Sequence, residues 1–127
     1  MEALRQQFFN TEIMVAAWPM LLSGLAMTAL LCLIVIPLGL LSGIGAALLC
    51  LSRHRTVRWA AIAYVDLFRA LPPLVLLIFV YSGLPFAGIR PSPLEAVAIA
   101  FVLNNAAYYG EIYRAGILSI GAGQAEA

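Results

Sequence analysis

The chain has no lysine, and little charge of any kind. Acidic and basic residues together make up 10% of its 127 residues, while 64% are hydrophobic. A soluble domain carries about a quarter charged residues, so this chain has too little polar surface to cover a soluble globule. No charge at all occurs between Ile13 and Ser52. There is no GxxxxGK[ST] loop, no HExxH, no CxxC and no haem-attachment motif. Nothing in the residues therefore points to catalysis, a metal or a cofactor. A basic patch with the reach to hold nucleic acid is missing as well. The two cysteines, Cys32 and Cys50, lie eighteen residues apart in one apolar segment. On a helix that is roughly 27 Å of rise. They cannot pair there, and they read as small packing residues.

What is present is apolar length. A helix across the hydrocarbon core needs about 20 mainly apolar residues. The charge-free stretch exceeds that, and predicts a first span over 19–51. Residues 1–18, with Phe8, Phe9 and Trp18, form a mixed lead-in suited to the interface. A cleaved signal peptide fits poorly, because Glu2 and Glu12 flank the only early cation, Arg5. Within the first span Gly39 and Gly43 form a GxxxG pair, extended by Ser42, Gly45, Ala46 and Ala47. Small residues let helix backbones approach closely, so this surface predicts a packing face.

The second uncharged stretch, 70–89, contains Gly83, Pro85 and Gly88, which predict a helix end near Tyr81. From Ala70 that leaves only about 20 Å of helix. The span must then begin near Trp59, over 59–82, and it draws in Asp66 and Arg69. Pro72 and Pro73 remove two N–H groups, so the carbonyls of Phe68 and Arg69 lose their helical partners. The helix should kink or break there; both readings remain open. The third span is expected over 92–120, with Pro93 in the first turn and Glu111 and Arg114 inside. Arg53, Arg55 and Arg58 cluster with His54 between spans one and two. Short arginine-rich loops stay in the cytoplasm, which predicts an outside N-terminus and an inside C-terminus.

Polar residues inside these spans are the candidate functional groups. Asp66 and Arg69 stand at i,i+3, and so do Glu111 and Arg114, which places each pair on one helix face. Asn104, Tyr108 and Glu111 follow i, i+4, i+7 on one face, next to Asn105. Such a stripe in a membrane needs another helix, water or a solute. Interhelical hydrogen bonding is the bland reading, and a solute-lining path the sharper one.

These residues resemble the permease subunits of ABC importers for polar amino acids, the histidine/glutamine/arginine/opine group. The resemblance rests on Trp18–Leu31 around Thr28, on Tyr64–Pro85, similar to an aromatic–acid–Leu–Phe–Arg–Gly–Thr–Pro segment, on Asn104–Ile120, similar to Ala–Tyr–x–x–Glu–x–x–Arg–Gly, and on Gly121–Ala127, similar to the opening of the cytoplasmic EAA loop. Ala70 and Leu71 stand where the family has Gly–Thr, and Ala115–Gly116 shift its small pair. The later coupling loop and the last two of the family's usual five helices are not in these residues, so a fragment or truncated product is expected.

The resemblance implies an all-α membrane protein, the N-terminal part of a type-1 ABC importer permease bundle with three transmembrane helices. Residues 19–127 would be that domain in part. It further implies an inner-membrane location, a second permease subunit, identical or related, cytoplasmic ABC ATPase subunits that hydrolyse the ATP, and a periplasmic amino-acid-binding protein. The substrate pathway would use Asn104, Asn105, Tyr108, Glu111, Arg114 and Arg69. Coupling to the ATPase would use Gly123, Gln124, Glu126 and Ala127. The competing readings are a small membrane scaffold and a fragment of an ion-coupled secondary transporter.

Overall fold

The computed structural model describes residues 11–120, and these form helices and turns with no β-strand among them. The chain order is α1, Thr11–Cys50; α2, Arg55–Ala70; α3, Pro73–Ile78; a π-helical turn, Phe79–Gly83; a 3₁₀ turn, Leu84–Ala87; and α4, Pro93–Ser119. The chain divides into two compact units, Met1–Cys32 and Leu33–Ala127. The expected coupling residues Gly123, Gln124, Glu126 and Ala127, and the first ten residues of the lead-in, lie outside the described residues.

In the first unit the described residues are helical from Thr11, so Thr11–Trp18 are part of α1. Their apolar side chains are turned outward, with Ile13 64%, Met20 79% and Leu25 65% exposed. Among the described residues α1 is the one helix long and apolar enough by itself to cross a membrane. Pro19 and Pro37 lie inside it without ending it. Each deletes a single backbone donor, which a long membrane helix tolerates.

The second unit is built around α4. Its capping box sets the start: the Ser92 hydroxyl accepts from the Glu95 N–H, and Glu95 accepts from the Ser92 N–H. Pro93 occupies the first turn, where its missing N–H costs nothing. Two apolar clusters flank the helix. Ala46, Cys50, Ala61 and Val65 form one, with Ile62 and Tyr64 against it. Leu76, Val80, Ala96 and Ala100 form the other, joined by Phe68, Leu77, Leu84 and Leu103. Most of these buried residues are small, so the helices approach closely and dispersion, not bulky side chains, fills the seam.

The two open readings of the diproline resolve in favour of a break. A residue before proline is pushed from helical to extended backbone. Leu71 precedes Pro72 and has ψ 127°; Pro72 precedes Pro73 and has ψ 137°. Two consecutive extended residues turn the chain, which bends by 104° between the helical segments on either side. Only when this bent pair is taken as one span does it have the length and apolarity to cross a membrane. The helix end expected near Tyr81 is softer than the sequence reads. Helical turns continue to Ala87, because Gly83 and Pro85 change the pitch and Pro85 stands in a first turn that needs no N–H. Gly88, at φ 84°, stops it in the left-handed conformation that glycine adopts freely.

Candidate functional site: a helix break braced by a polar stripe

The break at Pro72–Pro73 leaves the carbonyls of Phe68 and Arg69 without their i+4 donors. Both are met from α4. The Asn104 amide donates to the Phe68 carbonyl at 2.9 Å, and the Tyr108 hydroxyl to the Arg69 carbonyl at 3.3 Å. The correspondence is exact in register: two consecutive orphan carbonyls on α2 face two donors one turn apart on α4. A third bond runs the other way, from the Tyr64 hydroxyl to the Leu103 carbonyl at 2.7 Å. Tyr64 also packs against Phe68, four residues on, with the rings tilted at 43° and their centroids 4.6 Å apart. Sequence reasoning gave Tyr64 no role. Its signal was an aromatic hydroxyl one turn before Phe68, inside an apolar run.

Asn104 is 4% exposed, and its donor goes to the backbone of another helix. In this structure it follows the interhelical reading of the stripe. Asn105 lies on a different face of α4, where its Cβ would sit 2.9 Å from a Cβ built on Gly39. That makes Asn105 part of the seam with α1, not of the face shared by Asn104 and Tyr108. The same seam answers the GxxxG expectation. A Cβ on Gly43 would meet the Tyr109 Cβ at 2.6 Å, and one on Gly110 would meet the Ala46 Cβ at 2.8 Å. Only glycine leaves room at these points.

The charged residues gather where the brace ends. Arg114 grips Glu111 through two bonds, Nε to Oε2 at 3.0 Å and Nη2 to Oε1 at 2.6 Å. This is the two-pronged geometry that a guanidinium offers a carboxylate. The pair stays about a third exposed, with side-chain exposures of 32% and 27%. Arg69 has the other disposition. It makes no ion pair with Asp66, despite the same i,i+3 spacing; its guanidinium lies over the Tyr108 ring, 5.7 Å from the centroid. Arg69, Tyr108, Glu111 and Arg114 thus form a half-exposed group carrying charges of both signs. Cys50 is buried and free, and Cys32 is exposed and free. Among the described residues there is no cluster of three or more potential metal ligands.

Comparison with known proteins adds a family. The sequence model described as "Binding-protein-dependent transport system inner membrane component" matches residues 35–127. The chain is 35% identical over 122 residues to the probable amino-acid ABC transporter permease protein YckA of Bacillus subtilis, covering 96% of this chain and 54% of that protein. It is 40% identical over 110 residues to the arginine transport system permease protein ArtQ of Bacillus subtilis, with 86% and 50% covered. The glutamate/aspartate import permease protein GltK of Escherichia coli is 36% identical over 127 aligned residues, with 94% and 57% covered. Among solved structures, the crystal structure of an amino acid ABC transporter with histidines superposes with TM-score 0.82 at 35% identity, over 89% of this chain and 53% of that one. The chain spans about half the length of the relatives it matches.

Proposed function

The chain belongs to the family of binding-protein-dependent transport system inner membrane components, and we propose that it forms part of the membrane passage of an ABC importer for polar amino acids. The observation that carries this reading is the breadth of the match. It covers nearly all of the chain, and the relatives it reaches are named for amino-acid transport. In the proposal the protein works with a second permease subunit, with cytoplasmic ATPase subunits that supply ATP hydrolysis, and with a periplasmic amino-acid-binding protein. Gly123, Gln124, Glu126 and Ala127 open the segment that meets the ATPase. The loop Arg53–Arg58 faces the cytoplasm, the N-terminus the periplasm, and residues 19–51, 59–82 and 92–120 hold the three spans.

The solute path uses the half-exposed charged group. An amino acid brings a carboxylate and an ammonium, so a passage gains from fixed charges of both signs. Glu111 meets the ammonium, and Arg69 or Arg114 the carboxylate, through the planar fork that suits it. Tyr108 offers a hydroxyl at the edge of the group. Asn104 and Asn105 stand behind the path as helix contacts, since one holds the Phe68 carbonyl and the other packs at Gly39.

Uptake of labelled amino acids by the full-length permease in its complex tests this. Arg69→Gln should leave protein level and assembly unchanged, because Arg69 makes no ion pair that its loss would break. Uptake should fall at least about tenfold, the factor that about 1.4 kcal/mol of lost solute interaction produces. Normal uptake would remove Arg69 from the path. Reporter fusions at Arg55 and Gly88 should report opposite sides of the membrane, with Arg55 inside.

A further inference from the structure

The loop between α1 and α2 concentrates charge that no ion pair among the described residues neutralises. Residues 51–54 connect Cys50 to Arg55. Arg53, His54 and Arg55 are exposed, Arg58 is half-buried, and none of them forms an ion pair among the described residues. Along the chain the nearest acids are Glu12 on one side and Asp66 on the other. Three of the seven arginines therefore fall within six residues, with no acid among them.

The flanks of this patch are apolar and outward-facing. Leu48 and Leu49 at the end of α1 are 60% and 51% exposed; Val57 and Trp59 at the start of α2 are 38% and 65% exposed. On one side lies a helix able to cross a membrane by itself, on the other the bent pair that reaches this length jointly. A cluster of arginines between two such segments, with a tryptophan at its edge, has the composition that suits the level of lipid headgroups.

We propose that Arg53, Arg55 and Arg58 form a binding surface for the phosphodiester groups of anionic phospholipids, with Leu49, Val57 and Trp59 against the upper acyl chains. The guanidinium fork suits a phosphate as it suits a carboxylate, and it is weakly enough hydrated to enter the interface. A basic side chain near an anionic surface is worth roughly a fivefold factor in local lipid occupancy. The surface rests on the family's membrane location, and is independent of which side the loop faces.

A photoreactive residue reads the neighbour directly. Thr56 is exposed between Arg55 and Val57, so Thr56→p-benzoylphenylalanine in the full-length permease complex places the probe inside the patch. The complex is reconstituted in symmetric vesicles of equal phosphatidylglycerol and phosphatidylcholine, illuminated, and its adducts weighed. Phosphatidylglycerol adducts should exceed phosphatidylcholine adducts about threefold or more, given the per-residue factor above. Added Arg53→Gln, Arg55→Gln and Arg58→Gln should bring the ratio to about one, and the matching three arginine-to-lysine changes should keep most of it. Inorganic phosphate should lower the ratio no more than chloride at the same ionic strength. A ratio near one in the parent, a ratio that survives the glutamine changes, a specific loss with free phosphate, or adducts to another protein subunit would each overturn the proposal. Because both leaflets are alike, a reversed topology would leave the adduct ratio unchanged. It would appear only in the reporter fusions, so the two failures are distinct.

Discussion

Helix α4 is held on two faces by opposite means. Toward α2 it offers polar groups: Asn104 and Tyr108 donate to carbonyls that the diproline freed, and the Leu103 carbonyl accepts from Tyr64. Toward the second half of α1 it makes no side-chain hydrogen bond among the described residues, only the fit of Asn105, Tyr109 and Gly110 against Gly39, Gly43 and Ala46. In lipid the hydrophobic effect does not draw helices together, so association rests on close packing and on interhelical hydrogen bonds. One helix here uses each device on a separate face. The seam tolerates no added atom. The polar face tolerates a broken helix, because it returns the donors that the break removed.

Enlarging the seam should have the largest effect. Gly43→Val places its Cβ at the 2.6 Å position against the Tyr109 Cβ and only 3.2 Å from the Gly110 backbone nitrogen. Neither neighbour is the far end of a flexible side chain, so the helices must separate. The expected loss is about 1–3 kcal/mol or more, read as a lower thermal midpoint and weaker expression of the full-length permease. Gly45 is the control on the same helix: nothing lies within 4 Å of its Cβ position. Gly45→Ala should leave the midpoint within about 0.5 kcal/mol of the parent.

On the polar face the effect should be smaller. Asn104→Ala removes the donor to the Phe68 carbonyl while Pro72 still withholds its own, leaving a buried acceptor alone. The expected loss is about 1–2 kcal/mol, the upper end of what interhelical bonds contribute in membranes. A loss equal to that of Gly43→Val would mean that the two faces are not separable.

Much of this arrangement can be read from residue order. Two consecutive prolines in an apolar run predict two orphan carbonyls, and the polar stripe at Asn104, Tyr108 and Glu111 predicts groups in need of partners. What residue order does not carry is that these needs meet. That depends on the register of α2 against α4, which the small residues Ala61, Ala100 and Ala107 allow but do not specify one at a time. The choice between kink and break was equally open, since a lone proline bends a membrane helix and Pro19 and Pro37 do not end α1. The charged pairs show the limit of spacing most directly. Asp66–Arg69 and Glu111–Arg114 have the same i,i+3 geometry, yet only the second closes. Arg69 is drawn over Tyr108 from another helix, a neighbour that local periodicity cannot name.

That difference between like-spaced pairs has its own test. Glu111→Gln removes a two-pronged bond at partial exposure, worth about 1 kcal/mol by the range for exposed and half-buried pairs. Asp66→Asn should change stability by less than about 0.5 kcal/mol, since Asp66 holds no ion pair with Arg69 to lose. Equal effects would show that Asp66 and Arg69 close in the membrane. Midpoints taken in low and high salt sharpen the test, because only the Glu111 difference should shrink as its charges are screened.

Among the bracing contacts the smallest loss is expected where the brace meets the proposed path, at Tyr108. Its hydroxyl bond to Arg69 is long, at 3.3 Å, and the side chain is 42% exposed. Water or headgroup oxygens can therefore compensate when the hydroxyl is lost. Tyr108→Phe keeps the ring under the Arg69 guanidinium and removes only the donor, so stability should fall by about 0.5 kcal/mol or less. Two consequences then separate. If the hydroxyl serves only the Arg69 carbonyl, uptake stays normal in Tyr108→Phe and falls only in Tyr108→Ala, which also frees Arg69 from the ring. If the hydroxyl meets the solute, uptake drops in Tyr108→Phe while the midpoint barely moves, and Arg69→Gln lowers uptake of the same substrates. The expected outcome is the second, because the hydroxyl stands at the edge of the one half-exposed group on this face that carries both signs of charge. Normal uptake in Tyr108→Phe would return Tyr108 to the brace, beside Asn104, and leave Arg69, Glu111 and Arg114 as the proposed path.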